Sequence, residues 1–337
     1  MIARSVETAV GATLPAAALI PLGAVGRARR NLTPIHVLME LTYRCNVRCL
    51  HCYLNGREEE MTLAEIERLL DQMAAEGTLV LTLSGGEVLL RRDFFDIASA
   101  ARERAFALRI FTNGTLVDDR AADRIAALRP VGVEMSLLGA TAATHDAITL
   151  KQGSFKRTIA GAQRLIDRGV RVKLKTTLMQ SNVDEAPAIE DLASGIGATS
   201  QVSHVMMPRR GGDLTPLSLQ IDDRALRRFV DRRRRDIFDQ AEPMSDGDNL
   251  CSAARATCSV SPSGDVFPCV LMPAKAGNVR ETDFATIWRE SETMKRMRSL
   301  AATHPLACGG CDGGDSYCPA YDLLRQAAVP VQPRAET

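Results

Sequence analysis

Cys45-Asn46-Val47-Arg48-Cys49-Leu50-His51-Cys52 places three cysteines in a C-x-x-x-C-x-x-C pattern directly after the apolar run Ile35 to Leu41. Three thiolates this close together suit a metal, and cysteine sulfur is the usual ligand of iron-sulfur clusters, one sulfur per iron. Three ligands leave one iron of a four-iron cubane open, as a catalytic zinc site keeps a position for water or substrate. A zinc ribbon would show two C-x-x-C pairs, and a ferredoxin run would add a fourth cysteine nearby. A structural zinc loop and plain buried thiols remain the alternatives for this stretch taken alone.

Downstream, short apolar runs alternate with longer amphipathic ones. The spacing predicts strands over Ile35–Leu41, Leu79–Leu83, Ala107–Thr112, Val131–Leu137, Val170–Leu178 and Thr199–Met206. It predicts helices over Thr62–Glu76, Arg92–Arg104, Asp118–Leu128, Phe155–Arg168, Glu185–Gly195 and Asp222–Asp239. Thr62 followed by Glu65 is a capping-box pattern that fixes the first helix start. Six strand-helix pairs predict an α/β fold on a parallel sheet with right-handed crossovers, either an open doubly wound sheet or a barrel. Reactive groups then belong at the carboxyl ends of the strands. Those ends carry Ser84-Gly85-Gly86-Glu87, Thr112-Asn113-Gly114-Thr115 and Ser136, while Lys173, Lys175 and Thr177 share one face of the fifth strand by period two. Paired glycines let backbone approach a ligand, although Gly-Gly and Asn-Gly are also ordinary turns.

These motifs, in this order, resemble the radical S-adenosylmethionine (radical SAM) enzymes. The resemblance chooses a partial (β/α)6 barrel, with the 4Fe-4S cluster loop after the first strand. It implies that Cys45, Cys49 and Cys52 hold a cluster whose open iron chelates the amino and carboxylate groups of S-adenosyl-L-methionine. It also implies that reductive cleavage yields a 5'-deoxyadenosyl radical, which removes a hydrogen atom from the substrate. His51 stands where relatives have a planar residue. Gly85, Gly86 and Glu87 match the motif that holds the methionyl amino group, with Val88 where relatives commonly have proline. Asn113 falls in a loop that lines the cofactor pocket, and Ser136 matches a contact to the ribose or methionyl carboxylate. Leu138-Gly139 stands where relatives carry an acidic residue. One of the lysines on the fifth strand is a further candidate for the cofactor carboxylate, exposure at a barrel rim being the alternative. No catalytic acid or base is assigned beyond the cluster.

A linker containing Pro243, Ser245, Asp246, Gly247 and Asp248 precedes a second cysteine block of Cys251, Cys258, Cys269, Cys308, Cys311 and Cys318. Its C-x-x-C among glycines is a metal-binding knuckle, for which structural zinc is an alternative. Ser261 to Cys269 resembles the start of a SPASM domain, which implies one or two auxiliary 4Fe-4S clusters. With six cysteines and none after Cys318, the arrangement resembles the shorter twitch type, which implies one cluster held by Cys251, Cys269, Cys308 and Cys311, with Cys258 and Cys318 either exchanging into that set or serving a second, incompletely ligated cluster. The chain is expected to divide into an extension (1–34), the barrel (35–240) and a small cysteine-rich iron-sulfur domain (241–337).

Composition bounds the partners. Among 337 residues, 42 basic and 41 acidic side chains nearly cancel, which gives no argument for nucleic acid or a charged surface. The Arg227-Arg228 and Arg232 to Arg235 run reads as a solvated helix face, with an acidic peptide or electron carrier as its match if it docks anything. Nine cysteines without a convincing secretion signal suggest reduced thiols and a cytoplasmic location. The stretch Ala9 to Gly26 is broken by Pro15 and Pro21, so no membrane span is expected; packing as an extra layer is the simpler role. The resemblance implies a reductant such as flavodoxin or ferredoxin. It favours maturation of a ribosomally made peptide, with a precursor peptide and its recognition protein as partners. A radical SAM dehydrogenase or decarboxylase acting on a sugar alcohol, tetrapyrrole or quinone-cofactor precursor is the alternative. A non-catalytic metal-binding scaffold is the alternative of another class.

Overall fold

The computed structural model describes residues 22–303, apart from 55, 57, 223, 226, 230–250 and 273. Six parallel strands pair in chain order: β1 (His36–Thr42), β2 (Val80–Gly85), β3 (Ala107–Thr112), β4 (Gly132–Ser136), β5 (Val172–Thr177) and β6 (Thr199–Ser203). Helices α2 (Leu63–Ala75), α3 (Phe94–Glu103), α4 (Asp119–Ala127), α6 (Ser154–Asp167) and α7 (Ala186–Gly195) alternate with them, after an N-terminal α1 (Leu22–Asn31). Their apolar stripes, such as Ile66, Leu69, Leu70 and Met73 of α2, pack with Val37, Met39, Leu81 and Ile110 in one continuous core. The Thr62 and Glu65 capping box is formed in full.

The strands alternate in a consistent sense. Leu108 and Ile110 of β3 are fully buried under the helices, whereas Arg109 and Phe111 are half-buried on the opposite face. Leu38 of β1 and Gln201 of β6 line the same cavity, so the sheet curls until its first and sixth strands face each other. This is the partial barrel. Lys173 and Lys175 therefore point into its interior and not to a solvated rim.

Two features depart from the sequence reading. An additional helix, α5 (Ala142–Thr149), precedes α6, with Thr141 as its N-cap and Leu150 in the left-handed conformation at its end. Its eight residues give too little apolar periodicity for the pattern to register. More consequentially, β7 (Thr257–Val260) pairs in parallel with β1, and β8 (Asp265–Phe267) and β9 (Gly277–Asn278) continue antiparallel from it. The result is one nine-stranded sheet in the order β6-β5-β4-β3-β2-β1-β7-β8-β9. The second cysteine block thus starts as an extension of the barrel sheet, with Cys258 beside Val37. Two helices follow, α8 (Phe284–Glu290) and α9 (Glu292–Thr303). Helix α1 lies against this region: Arg29 Nε donates to Ser252 Oγ at 2.9 Å, and Trp288 Nε1 donates to the carbonyl of Leu32 at 2.5 Å. Arg27, Arg30, Arg227 and Arg228 are exposed, while most of the expected helix over 222–239, with Arg232 to Arg235, lies outside the described residues. No described helix is long and apolar enough to cross a membrane.

At the base of the barrel, burial and then the charge of Arg109 lower the His36 imidazole to about 4, and its Nε2 lies 2.8 Å from Thr82 Oγ1. A neutral histidine in the fold against an ordinary value of 6.5 when unfolded means that the unfolded chain takes up the proton first. Stability is therefore lost as pH falls from about 6.5 towards about 4, by up to about 3 kcal/mol from this residue. Thermal melts across that window should decline less steeply in His36→Gln than in the wild-type protein. Parallel curves would contradict the assignment.

Candidate functional site

The cluster loop hangs between two supports. Its backbone N–H groups at Arg48 and Leu50 donate to the carbonyls of Thr149 and Ile148, so the end of α5 carries the middle of the loop. On the other side, the N–H groups of Gly86 and Glu87 donate to the carbonyls of Thr42 and Arg44 at 2.7 and 2.9 Å. That second contact is why both glycines are needed. A Cβ on Gly85 would come within 2.3 Å of the Thr42 carbonyl oxygen, and one on Gly86 within 2.4 Å of that of Arg44. Gly85 also has φ +131°, in the region that favours glycine.

Cys45, Cys49 and Cys52 line one cavity of about 330 Å³ together with His51, Ser84, Gly85, Gly86, Asn113 and Ser136. That is large enough for a small-molecule ligand. Burial pushes all three thiols up, and at Cys49 the neighbouring Cys52 and Cys45 add to it. Lone thiolates are therefore unfavourable here, and a cationic metal centre is what would stabilise them. Among the described residues no three His, Cys, Asp or Glu side chains converge on a single ion. A cubane asks for something else, since each thiolate takes its own iron and the sulfurs must ring a volume. His51 fits an occupied pocket as well: its Nδ1 is buried without a hydrogen-bond partner, and burial lowers the imidazole to about 4. The donor set and its surroundings fit an iron-sulfur cluster with a ligand beside it.

Asn113 orients the loop. Its Nδ2 donates to Asn46 Oδ1 at 2.8 Å and lies 3.7 Å from Cys45 Sγ, while its Oδ1 accepts from the backbone and hydroxyl of Thr115. Hydrogen bonds to cluster sulfurs tune reduction potential. Glu87 is held by the loops around it. It is fully buried, and its carboxylate accepts from Thr112 Oγ1 at 2.7 and 2.9 Å, from the Asn113 N–H at 2.8 Å and from the Leu89 N–H at 3.1 Å. Through these contacts it ties the loops after β2 and β3 together. Burial raises its pKa, opposed by those hydrogen bonds.

In the second block, Cys251 and Cys258 are buried and Cys269 is half-buried. Cys258 and Cys269 are close enough that each thiolate would disfavour the other, after the larger effect of burial. Cys308, Cys311 and Cys318 lie outside the described residues. Val270 and Leu271, immediately after Cys269, form part of the wall of the cavity that the first cysteines line.

Sequence reasoning missed the residues that join these parts. Glu40, fully buried on β1, accepts from Tyr43 Oη at 3.0 Å, Tyr53 Oη at 2.5 Å and Arg210 Nη2 at 2.6 Å. The Arg210 guanidinium lies 5.2, 6.0 and 4.9 Å from the ring centres of Tyr43, Tyr53 and Phe267, and its backbone N–H donates to the Tyr53 carbonyl at 2.8 Å. The only signal was an acidic residue inside an apolar strand.

Comparison with known proteins agrees with this layout. Residues 39–193 match the Radical SAM superfamily, and residues 251–312 match an iron-sulfur cluster-binding domain, SPASM. The chain is 30% identical over 303 residues to mycofactocin maturase MftC of Mycobacterium tuberculosis, covering 84% of this chain and 77% of that protein. It is 29% identical over 313 residues to an AdoMet-dependent heme synthase of Methanosarcina barkeri, covering 83% and 88%. It is also 29% identical over 329 residues to a PqqA peptide cyclase of a Methylobacterium species, covering 88% and 84%. Streptococcus suis SuiB bound to S-adenosylmethionine shares the fold, with a TM-score of 0.67 at 18% identity over 79% of this chain and 68% of that one.

Removing Arg210 should expose how strongly the buried Glu40 depends on it. Arg210→Met strands a buried carboxylate and should cost about 3–5 kcal/mol, whereas the double variant Glu40→Gln/Arg210→Met, which removes the charge as well, should recover most of that. Urea unfolding of the three proteins measures both numbers. Equal destabilisation in the single and double variants would contradict the network.

Proposed function

Because this chain belongs to the radical SAM superfamily, we propose that it is a maturase that modifies a ribosomally made peptide inside the barrel. The observation that carries this reading is the shared cavity wall: Cys45, Cys49 and Cys52 on one side, Val270 and Leu271 beside Cys269 on the other. A substrate in that cavity touches both cysteine regions.

In this reading Cys45, Cys49 and Cys52 hold the SAM-binding 4Fe-4S cluster. The backbone of Gly85 and Gly86 receives the methionyl end of S-adenosylmethionine, with Ser136, Asn113 and His51 around the rest of it. Cys251, Cys258 and Cys269, with Cys308, Cys311 and Cys318, supply ligands for one or two auxiliary clusters. When bound, the reduced cluster and S-adenosylmethionine supply a 5'-deoxyadenosyl radical that takes a hydrogen atom from the substrate. The protein binds, orients and shields. Val205, Met206 and Met207 form an apolar wall over the cluster loop, which excludes water from the reacting atoms. Arg210 anchors that wall to β1. An auxiliary cluster held by these cysteines would accept an electron from the substrate or ligate it, and a flavodoxin or ferredoxin would deliver the electron that starts the cycle.

The peptide reading draws on the likeness to the peptide cyclase and to the mycofactocin maturase. A second reading, modification of a tetrapyrrole, is favoured by the likeness to the heme synthase, which extends over nearly all of that protein.

A short peptide encoded beside this gene, incubated with the anaerobic protein, dithionite and S-adenosylmethionine, should change mass in step with 5'-deoxyadenosine release. In the Cys269→Ala/Cys311→Ala variant, shown to be folded by circular dichroism, iron content should fall and the mass change should vanish while some 5'-deoxyadenosine persists. An unmodified peptide beside a modified iron-porphyrin would select the tetrapyrrole reading instead.

A further inference from the structure

The inner face of β3, β4 and β5 carries an imbalance of charge. Across the sheet Phe111 stands opposite Glu134, Glu134 opposite Lys173, Ser136 opposite Lys175, and Lys175 opposite Gln201. Glu134 is 4% exposed and is the carboxylate at the centre of this patch. Arg109 Nη2 contacts its Oε1, and Lys175 Nζ lies 3.1 Å from its Oε2. Lys173 Nζ lies 3.3 Å from the neutral Gln201 Oε1. Three cations thus share one carboxylate, and after the opposing effect of burial the charges of Lys175, Arg109 and Lys173 hold Glu134 below its ordinary value.

Among the described residues, the other carboxylates and the imidazole around the barrel interior do not offset this excess. Glu40 is engaged by Arg210, and Glu87 is turned into the Thr112, Asn113 and Leu89 donors. His36 is neutral near pH 7. The cluster and S-adenosylmethionine would not supply the missing negative charge either: three thiolates on a 4Fe-4S core of charge 2+ leave one negative charge, and the net positive charge of S-adenosylmethionine cancels it. Clustered cations in a partly desolvated cavity are unfavourable unless something anionic joins them.

We propose that this patch is a carboxylate subsite for the substrate, with Lys175 as the direct contact and Lys173 behind it. Lys175 is the cation on the cavity wall, its side chain 33% exposed and its Nζ 4.2 Å from the centre of the Phe111 ring. Leu38, Phe111 and Met206 supply apolar surface on the same wall. The substrate is therefore an acid carried on an apolar or aromatic body. Resting on the maturase reading, it is a peptide segment presenting an acidic side chain or its C-terminal carboxylate beside an apolar residue.

The test needs no turnover, so it can succeed or fail independently of the maturase reading. Full-length protein with its clusters and S-adenosylmethionine bound, left unreduced, is titrated with 3-phenylpropionate and with 3-phenylpropanamide, followed by saturation-transfer NMR. The acid should bind about tenfold more tightly than the amide, as befits charge-assisted hydrogen bonds. Lys175→Met should erase that preference, and Lys173→Met should reduce it about threefold. Lys175→Gln serves as the variant if circular dichroism shows that the methionine variant is unfolded. Equal binding of acid and amide by the wild-type protein, or an unchanged preference in the folded Lys175 variant, overturns the proposal. A tenfold loss of S-adenosylmethionine affinity in Lys175→Met, measured by equilibrium dialysis and matching any loss of acid binding, assigns the lysine to the cofactor and overturns it too.

Discussion

A carboxylate with no solvent exposure holds the working end of this barrel together. Glu40 sits near the end of β1, where burial raises its pKa, and the fold answers with a guanidinium and two phenols. Each partner belongs to a different segment. Tyr43 and Tyr53 flank the cluster loop on either side, Arg210 comes from the segment after β6, and the Arg210 guanidinium packs over Phe267 of β8. Because a buried charge is tolerated only with its partners in place, these segments are tied to one another. The loop that carries Cys45, Cys49 and Cys52, the apolar wall at Val205 to Met207, and the approach to Cys269 share that anchor.

The sheet makes the second tie. β7 adds to β1 in parallel, in the same sense as the barrel strands, and β8 and β9 then turn back antiparallel. Cys258 is carried on β7 and Cys269 follows β8 closely, so their positions relative to the barrel are set by backbone hydrogen bonds rather than by a flexible linker. A chemistry that begins at one metal centre and finishes at another needs such fixed spacing. The cavity beside the cluster loop is apolar towards Met206 and Leu271 and cationic towards Lys175.

Much of this was legible in the sequence, and the part that was not has physical causes. Strands β1 to β4 declared themselves as short apolar runs between turn residues and β5 by its alternation, whereas the polar β6 followed from its turn in the strand-helix order; the Thr62 and Glu65 cap marked its helix start. The cysteine loop was legible because its spacing came together with the Gly85-Gly86-Glu87 turn and the second cysteine block, in the order of the family it resembles. Helix α5 was missed because eight residues with only His145, Ile148 and Thr149 buried do not make a periodic stripe. The docking of β7 onto β1 was missed because pairing between strands over 200 residues apart leaves no local trace. Period two placed Lys173 and Lys175 on one face but could not say whether that face looked inward, nor that Arg109 and Glu134 would meet them there. The hydrogen bonds from Thr112 and Asn113 to Glu87 left no trace in the sequence either, since they join residues about 25 positions apart.

The central claim is that Cys45, Cys49 and Cys52 form the centre at which S-adenosylmethionine is cleaved. The direct measurement is 5'-deoxyadenosine released by the anaerobic, dithionite-reduced protein, compared with a folded variant in which all three cysteines are alanine. The account predicts release by the wild-type protein and none by the variant, with iron content lower by one four-iron cluster. Release by the variant at the wild-type rate, or none by a wild-type protein that carries its full iron, would contradict it.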